Sequence, residues 1–272
     1  VVADSSAALV RQFDAVYAQA SAGQLVEIEL QSGDYSEVPT IELNASVVAS
    51  GVLLVAAIPD GESWRLTASD DAVSEVSLRP EAGRELLRTS PGAPALQMRG
   101  LRLQGPVRVD GSHASFELCT FRDGQATEGG ALAVVGGGVV EAMRCDFIRN
   151  NASRGGALLV DGGRGAFATC RFEENSATSG GSALFVHSTI GEGVVLTDRT
   201  LLLSNTEPSI AATSGPVSYR LPAPRGRFIT AAGGDTQDLS YGFPADFPLA
   251  CAPGVSGASE RPTAQNGPWC NG

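Results

Sequence analysis

Apolar residues recur at every second position along most of this chain, which is the period of a β-strand. The pattern is plain in Leu25-Val-Glu-Ile-Glu-Leu30, Ile41-Glu-Leu43, Val76-Ser-Leu78, Leu96-Gln-Met98, Leu101-Arg-Leu103, Val107-Arg-Val109 and Phe116-Glu-Leu118. Gly, Asn, Asp and Ser lie between these runs and supply turn chemistry and positive φ. One segment departs from the pattern. Between Ser5 and about Ser21, Leu9, Phe13, Val16 and Tyr17 follow three-and-four spacing, with Asp4 or Ser5 before them and Gly23 after. That predicts a capped amphipathic helix over about 5–21. Glu81 to Pro94 reads as a loop or short helix that leaves the strand pattern, and from Ala231 onward Gly, Pro and Asp take over.

Three segments are near copies of one another. Cys119-Thr-Phe121, Cys145-Asp-Phe147 and Cys170-Arg-Phe172 each lead to a Gly-Gly pair and an apolar run, at Gly129-Gly130, Gly155-Gly156 and Gly180-Gly181. The cysteines are 26 and 25 residues apart. A fixed period of this size marks a solenoid, in which each unit buries its apolar face by stacking on the next. The Gly-Gly pair opposes a helix, since each Gly costs about 1 kcal/mol against Ala there. The leucine-rich pattern of similar period is missing. One unit therefore reads as one turn of a parallel β-helix. Leu202-Leu-Ser-Asn205 repeats Phe172-Glu-Glu-Asn175 after a longer gap.

Asn150 and Asn175 share a register, with Gly124 in the first unit. They read as an internal ladder of side-chain amides at a tight turn, with a ligand site as the other reading. Cys119, Cys145 and Cys170 also share a register and alternate with Phe. They read as an inward thiol column, where buried Cys behaves as a small hydrophobe. A disulfide between neighbours is the alternative and would leave one of the three unpaired.

The chain has 272 residues, enough for a long solenoid in one domain. The expected division is a β-helix over 1–234, cap helix included, and an irregular Cys-containing extension over 235–272. No apolar run is long enough to span a membrane. The net charge of −11 disfavours nucleic acid and anionic membranes as partners. All 19 cationic side chains are Arg, so lysine is excluded as a base or a phosphate anchor. Val1 in place of an initial Met fits a processed product.

At this point the residues resemble a known superfamily. The opening helix followed by Val26-Glu-Ile-Glu-Leu-Gln-Ser-Gly33-Asp-Tyr35-Ser-Glu37 is similar to the start of pectin-lyase-like right-handed parallel β-helices. The repeated Cys-x-Phe-x-x-Asn-x-Ala-x-x-Gly-Gly-Ala resembles the repeats of polymorphic outer-membrane-protein adhesins and of secreted or surface proteins of unicellular algae. Tyr219-Arg-Leu-Pro-Ala-Pro224 and the Cys251 to Cys270 stretch look like the algal set. The resemblance covers about 25–230. It implies an all-β, right-handed parallel β-helix with an N-terminal capping helix and an irregular C-terminal extension.

Enzymes of that superfamily cleave or de-esterify polysaccharides, but their paired catalytic Asp motifs are missing here. Asp70-Asp71 stands outside any such context. Arg122, Arg149 and Arg171 are candidate lyase bases only by position, because a guanidinium of pKa above about 12 is a poor base. Asp123, Glu128, Glu173 and Glu174 could gather calcium on one face, yet Arg149 falls between Asp123 and Glu174 in register. A charge-alternating solvated face is the simpler reading. His113, in a turn, and His187, at the end of a strand, lack a third partner nearby, and Trp64 and Trp269 are too few for a sugar-stacking row.

Cys251 and Cys270 flank a Pro/Gly/Ser-rich tail and read as a disulfide that staples it. Asn44-Ala-Ser46 and Asn151-Ala-Ser153 are N-glycosylation acceptors. Together these features predict an extracellular or cell-surface structural or adhesive module on the secretory route. Its partners would be a glycan or other surface proteins, as a subunit or ectodomain of a larger assembly. Neither a cofactor nor a metal is required. A polysaccharide lyase or hydrolase with a non-standard site is the competing expectation.

Overall fold

A computed structural model describes residues 2–3, 5–9, 11, 25–46, 51–56, 76–220, 227–228, 236–239 and 246–250. Parallel strands stack as a β-helix with three faces. The first face carries Leu25–Leu30, Gly51–Ala56, Ala95–Arg99, His113–Glu117 and Val139–Met143, then the later parts of Leu158–Ala168 and Leu184–Thr197, then Val217–Arg220. The second face is a seven-stranded sheet from Gly33–Val38 through Val76–Pro80, Arg102–Leu103, Thr120–Arg122, Asp146–Ile148 and Arg171–Glu173 to Leu201–Leu203. The third carries Ile41–Leu43, Leu87–Thr89, Val107–Asp110 and Leu132–Val135, the early parts of the two long strands, and Ile210–Ala212. Each coil visits the faces in that order.

Alternation explains the core. Along Val107–Asp110 and His113–Glu117 every second side chain is buried. Inside, Phe121 stacks on Phe147 at 4.7 Å and Phe147 on Phe172 at 4.6 Å, each pair 5° from parallel. Phe116 and Phe167 meet that stack edge-on. In-register identity of the repeats makes this possible, because parallel strands place equivalent residues about 4.8 Å apart.

Three expectations need correction. Glu81 to Pro94 does not leave the coil: Leu87–Thr89 is a third-face strand, with Leu86 and Leu87 buried. The run is too short for alternation to show, which hid it. His113 begins a strand instead of lying in a turn, and the strand holding His187 runs on round a corner to Thr197. Positive φ falls not on the ladder asparagines but on the residues before them, Arg149 at 52° and Glu174 at 53°. Asp123 has the same conformation, with φ of 54°. These three side chains point to solvent, and the residue after each, Gly124, Asn150 or Asn175, is buried.

Both ends are covered. At the N-terminus Ser5 caps a helical turn: Ala8 N–H donates to Ser5 Oγ at 3.2 Å and Leu9 N–H to Ser5 O at 2.8 Å. Leu9 is buried in the main core. Residues 10 and 12–21 of the expected helix lie outside the described residues. Val2–Ala3 adds a short parallel strand beside Glu29 and Leu30. At the C-terminal end the chain turns back. Thr236–Asp238 pairs antiparallel with Ser218–Arg220, and Phe247 bridges antiparallel to Leu202. Antiparallel return strands end a parallel stack and blunt its open edge.

Candidate binding groove

The asparagines form a continuous hydrogen-bonded column. Gly124 N–H donates to Asn150 Oδ1 at 3.0 Å, Asn150 N–H to Asn175 Oδ1 at 2.9 Å, and Asn175 N–H to Asn205 Oδ1 at 3.0 Å. Each Nδ2 donates back to a carbonyl of the preceding coil, at Phe121, Phe147 and Phe172. All three asparagines are buried, so every amide group is consumed in the ladder. Asn205, which repeats Asn175 in the sequence, thus extends the ladder to a third asparagine.

Cys119, Cys145 and Cys170 are buried free thiols. Their sulfurs lie 3.4 Å from the carbonyls of Glu117, Met143 and Ala168. Burial pushes the Cys119 and Cys145 thiols well above their ordinary range, so they stay protonated and unreactive. Cys251, Cys270, Trp64, Trp269 and Asp70-Asp71 lie outside the described residues.

The charged candidates sit outward and pair with one another. Arg149 Nε reaches Asp123 Oδ1 at 2.9 Å, and Arg122 Nε reaches Asp123 Oδ2 at 2.9 Å. Burial raises the Asp123 carboxyl, but hydrogen bonds from Arg149 and Arg122 outweigh it and hold the group below the usual carboxylate range. Arg171 pairs with Asp146 at 3.2 Å and with Glu173 at 3.4 Å. Glu128 pairs with Arg154. Among the described residues no three His, Cys, Asp or Glu converge as metal ligands would. His187 Nδ1 lies 2.9 Å from Thr213 Oγ1, away from His113. Asn44 Oδ1 accepts from Ser46 N–H at 2.9 Å, and Asn151 Oδ1 accepts from the Ser176 hydroxyl at 3.0 Å.

Turn lengths shape the surface between the second and third faces. The coils of Phe121, Phe147 and Phe172 carry long arms there, over 123–131, 149–157 and 174–183. The coil before them closes with only 104–106, and the one before that with 81–86. The short turn leaves a notch. Gly105 is needed in it, since a Cβ there would meet Pro80 Cγ at 2.5 Å. Gln104, Gly105 and Pro106 form the floor of a groove of about 680 Å³. Arg79 and Glu81 to Arg84 make one wall; Asp123 and Gln125 to Thr127 make the other, continuing to Asn151, Ser153 and Thr178. The volume lies within the range of roughly 300–1,000 Å³ usual for ligand sites. Arg79 is exposed and makes no ion pair among the described residues. A smaller hollow of about 110 Å³ beside Asp34 and Tyr35 shares Arg79 and Gln104.

Two features escaped the sequence reading. One is this groove, whose only trace is Gly105-Pro106 between strands set unusually close. The other is a second apolar cluster outside the third face, of Ala133, Val135, Leu159 and Phe185. Its signal was available: Leu158-Leu159-Val160 and Leu184-Phe185-Val186 break the alternation, as strands buried on both sides do. Arg154 lies over the Phe185 ring, 5.4 Å from its centre.

Comparisons with protein-family models, with curated proteins and with solved structures returned no match.

Proposed function

We propose that this chain is a structural or adhesive β-helix module of the cell exterior, which holds a partner in the groove above 104–106. A glycan and a surface protein are the partner classes its polar walls admit. The observation that carries the reading is the groove itself, a polar notch created by one short turn on an otherwise regular stack. Its chemistry favours binding over turnover. Asp123 is neutralised by two arginines, and Glu81 faces Arg84 at 3.4 Å. A general base needs a carboxylate free to take a proton. Location at the exterior is supported by the acceptor triplets at Asn44 and Asn151 and by the tail cysteines Cys251 and Cys270.

The test is a glycan array and a panel of cell-surface proteins, probed with the chain and with a double variant, Thr127→Trp with Ser153→Trp, that fills the groove. Binding by the parent and its loss in the filled variant is the expected result. Binding that survives the filling overturns the assignment of the groove. Sustained release of unsaturated oligosaccharide from an acidic polysaccharide would establish the lyase reading in its place.

A further inference from the structure

We propose that the groove receives an extended polypeptide segment, which adds as a strand to an open backbone edge at Gln125 and Glu128. This rests on the groove being the binding site argued above and names the partner class.

In a parallel ladder a residue's own N–H and C=O point to one neighbour, and the flanking groups point to the other. The long arms form such a ladder. Asn151–Ala152 pairs in parallel with Ser176–Ala177, and Gln125 and Glu128 bridge in parallel to Asn151 and Arg154. At the first bridge Asn151 N–H donates to Gly124 O at 2.9 Å, and Ala126 N–H donates to Asn151 O at 3.2 Å. At the second, Arg154 N–H donates to Thr127 O at 3.3 Å, and Gly129 N–H donates to Arg154 O at 3.0 Å. These four bonds use the groups flanking Gln125 and Glu128. The N–H and C=O of those two residues are therefore turned the other way, those of Gln125 into the groove it lines and those of Glu128 along the same edge just beyond it. Among the described residues neither backbone has a protein partner.

The edge is open because the next strand is missing. The preceding coil has only 104–106 at this place, and Pro106 has no N–H to give. An open edge of donors and acceptors is a template for an added strand, and added strands are a recurrent mode of peptide recognition. The charges select further. Glu81 pairs with Arg84 and Asp123 with Arg122 and Arg149, which leaves Arg79 with no ion pair among the described residues. The fitting partner is an extended segment that carries a carboxylate toward Arg79. A glycan's hydroxyls could meet single groups of the edge, but only a peptide repeats amide and carbonyl at the edge's own spacing.

The experiment is selection of a random seven-residue peptide library on the full chain, followed by calorimetry with the best synthetic peptide. Recovered sequences should lack central Pro and be enriched in Asp or Glu. N-methylation of alternate peptide amides should weaken binding at least about tenfold. Gln125→Pro removes the outward N–H and keeps both bonds to Asn151; it should weaken binding about tenfold. Met143→Ala, on the exposed first face away from the groove, should bind as the parent does. Should Gln125→Pro fail to fold, Arg79→Glu serves instead and should weaken the acidic peptide by a similar factor. Recovery of no peptide, or binding indifferent to N-methylation and to these variants, overturns the inference. If a glycan then binds and the filled groove abolishes it, the peptide assignment alone has failed. If neither class binds, the proposed function fails with it.

Discussion

Asn150 and Asn175 sit on adjacent coils, and the Asn150 backbone N–H donates to Asn175 Oδ1 at 2.9 Å while its own Nδ2 donates to the same oxygen at 3.1 Å. One side-chain oxygen thus serves two donors on the next coil, and neither donor has water as an alternative. The column sits beneath the arms that wall the groove, so it fixes their spacing.

Asn175→Ala should therefore be costly. It takes the acceptor from two buried donors, the Asn150 N–H and one Asn150 Nδ2 hydrogen. Each unmade buried bond costs about 1–3 kcal/mol, so a loss of roughly 2–6 kcal/mol is expected. Urea unfolding followed by circular dichroism measures it. A midpoint like the parent's would show that the ladder is dispensable.

Two glycines should respond in opposite degree. In Gly156→Ala the new Cβ would lie 2.3 Å from both the Ser176 and Ser182 carbonyl oxygens. Backbone cannot yield there without breaking the arm ladder, so the variant should be severely destabilised or fail to accumulate folded. Gly137 has φ of 88° but nothing within 4 Å of an added Cβ. Gly137→Ala should cost only the left-handed conformation, about 1–2 kcal/mol. Comparative thermal melts decide between them.

Asp123 should make a small, salt-sensitive contribution to stability. Its folded carboxyl is held below the unfolded value of about 3.9. A depressed carboxylate stabilises above its unfolded pKa, and that share is lost as pH falls through the folded pKa. The parent minus Asp123→Asn difference in stability should thus be present at pH 6 and shrink below pH 4. It should also shrink in 1 M salt, since both partners are about half exposed. A difference that grows on acidification would contradict the pairing.

The cysteines should fall into two classes. Cys119, Cys145 and Cys170 are buried free thiols, and burial holds the proton on Cys119 and Cys145. They should resist alkylation at pH 8 in the native protein and react once it is unfolded. The exterior location we propose further expects Cys251 linked to Cys270. Peptide mapping without reduction checks both, and free reaction of the tail pair in native protein would remove support for secretion.

The repeat of Cys-x-Phe and Asn at 25–26 residues determined the parallel coil, because identical side chains stack best when strands stay in register. It also determined the Phe stack, whose rings sit 4.6–4.7 Å apart for the same reason. Period and alternation are local, and a solenoid is built from contacts between one coil and the next. The groove had no such local signature. It depends on the difference between three successive turns, 81–86, 104–106 and 123–131, which become neighbours only when the coils stack. Nor could charge identity say which residues pair across coils: Arg79 and Arg149 look alike in the sequence. Only the tertiary structure gives Arg149 the Asp123 carboxylate of the preceding coil and puts Arg79 on the groove wall with no ion pair among the described residues, because such pairing is set by the register between coils.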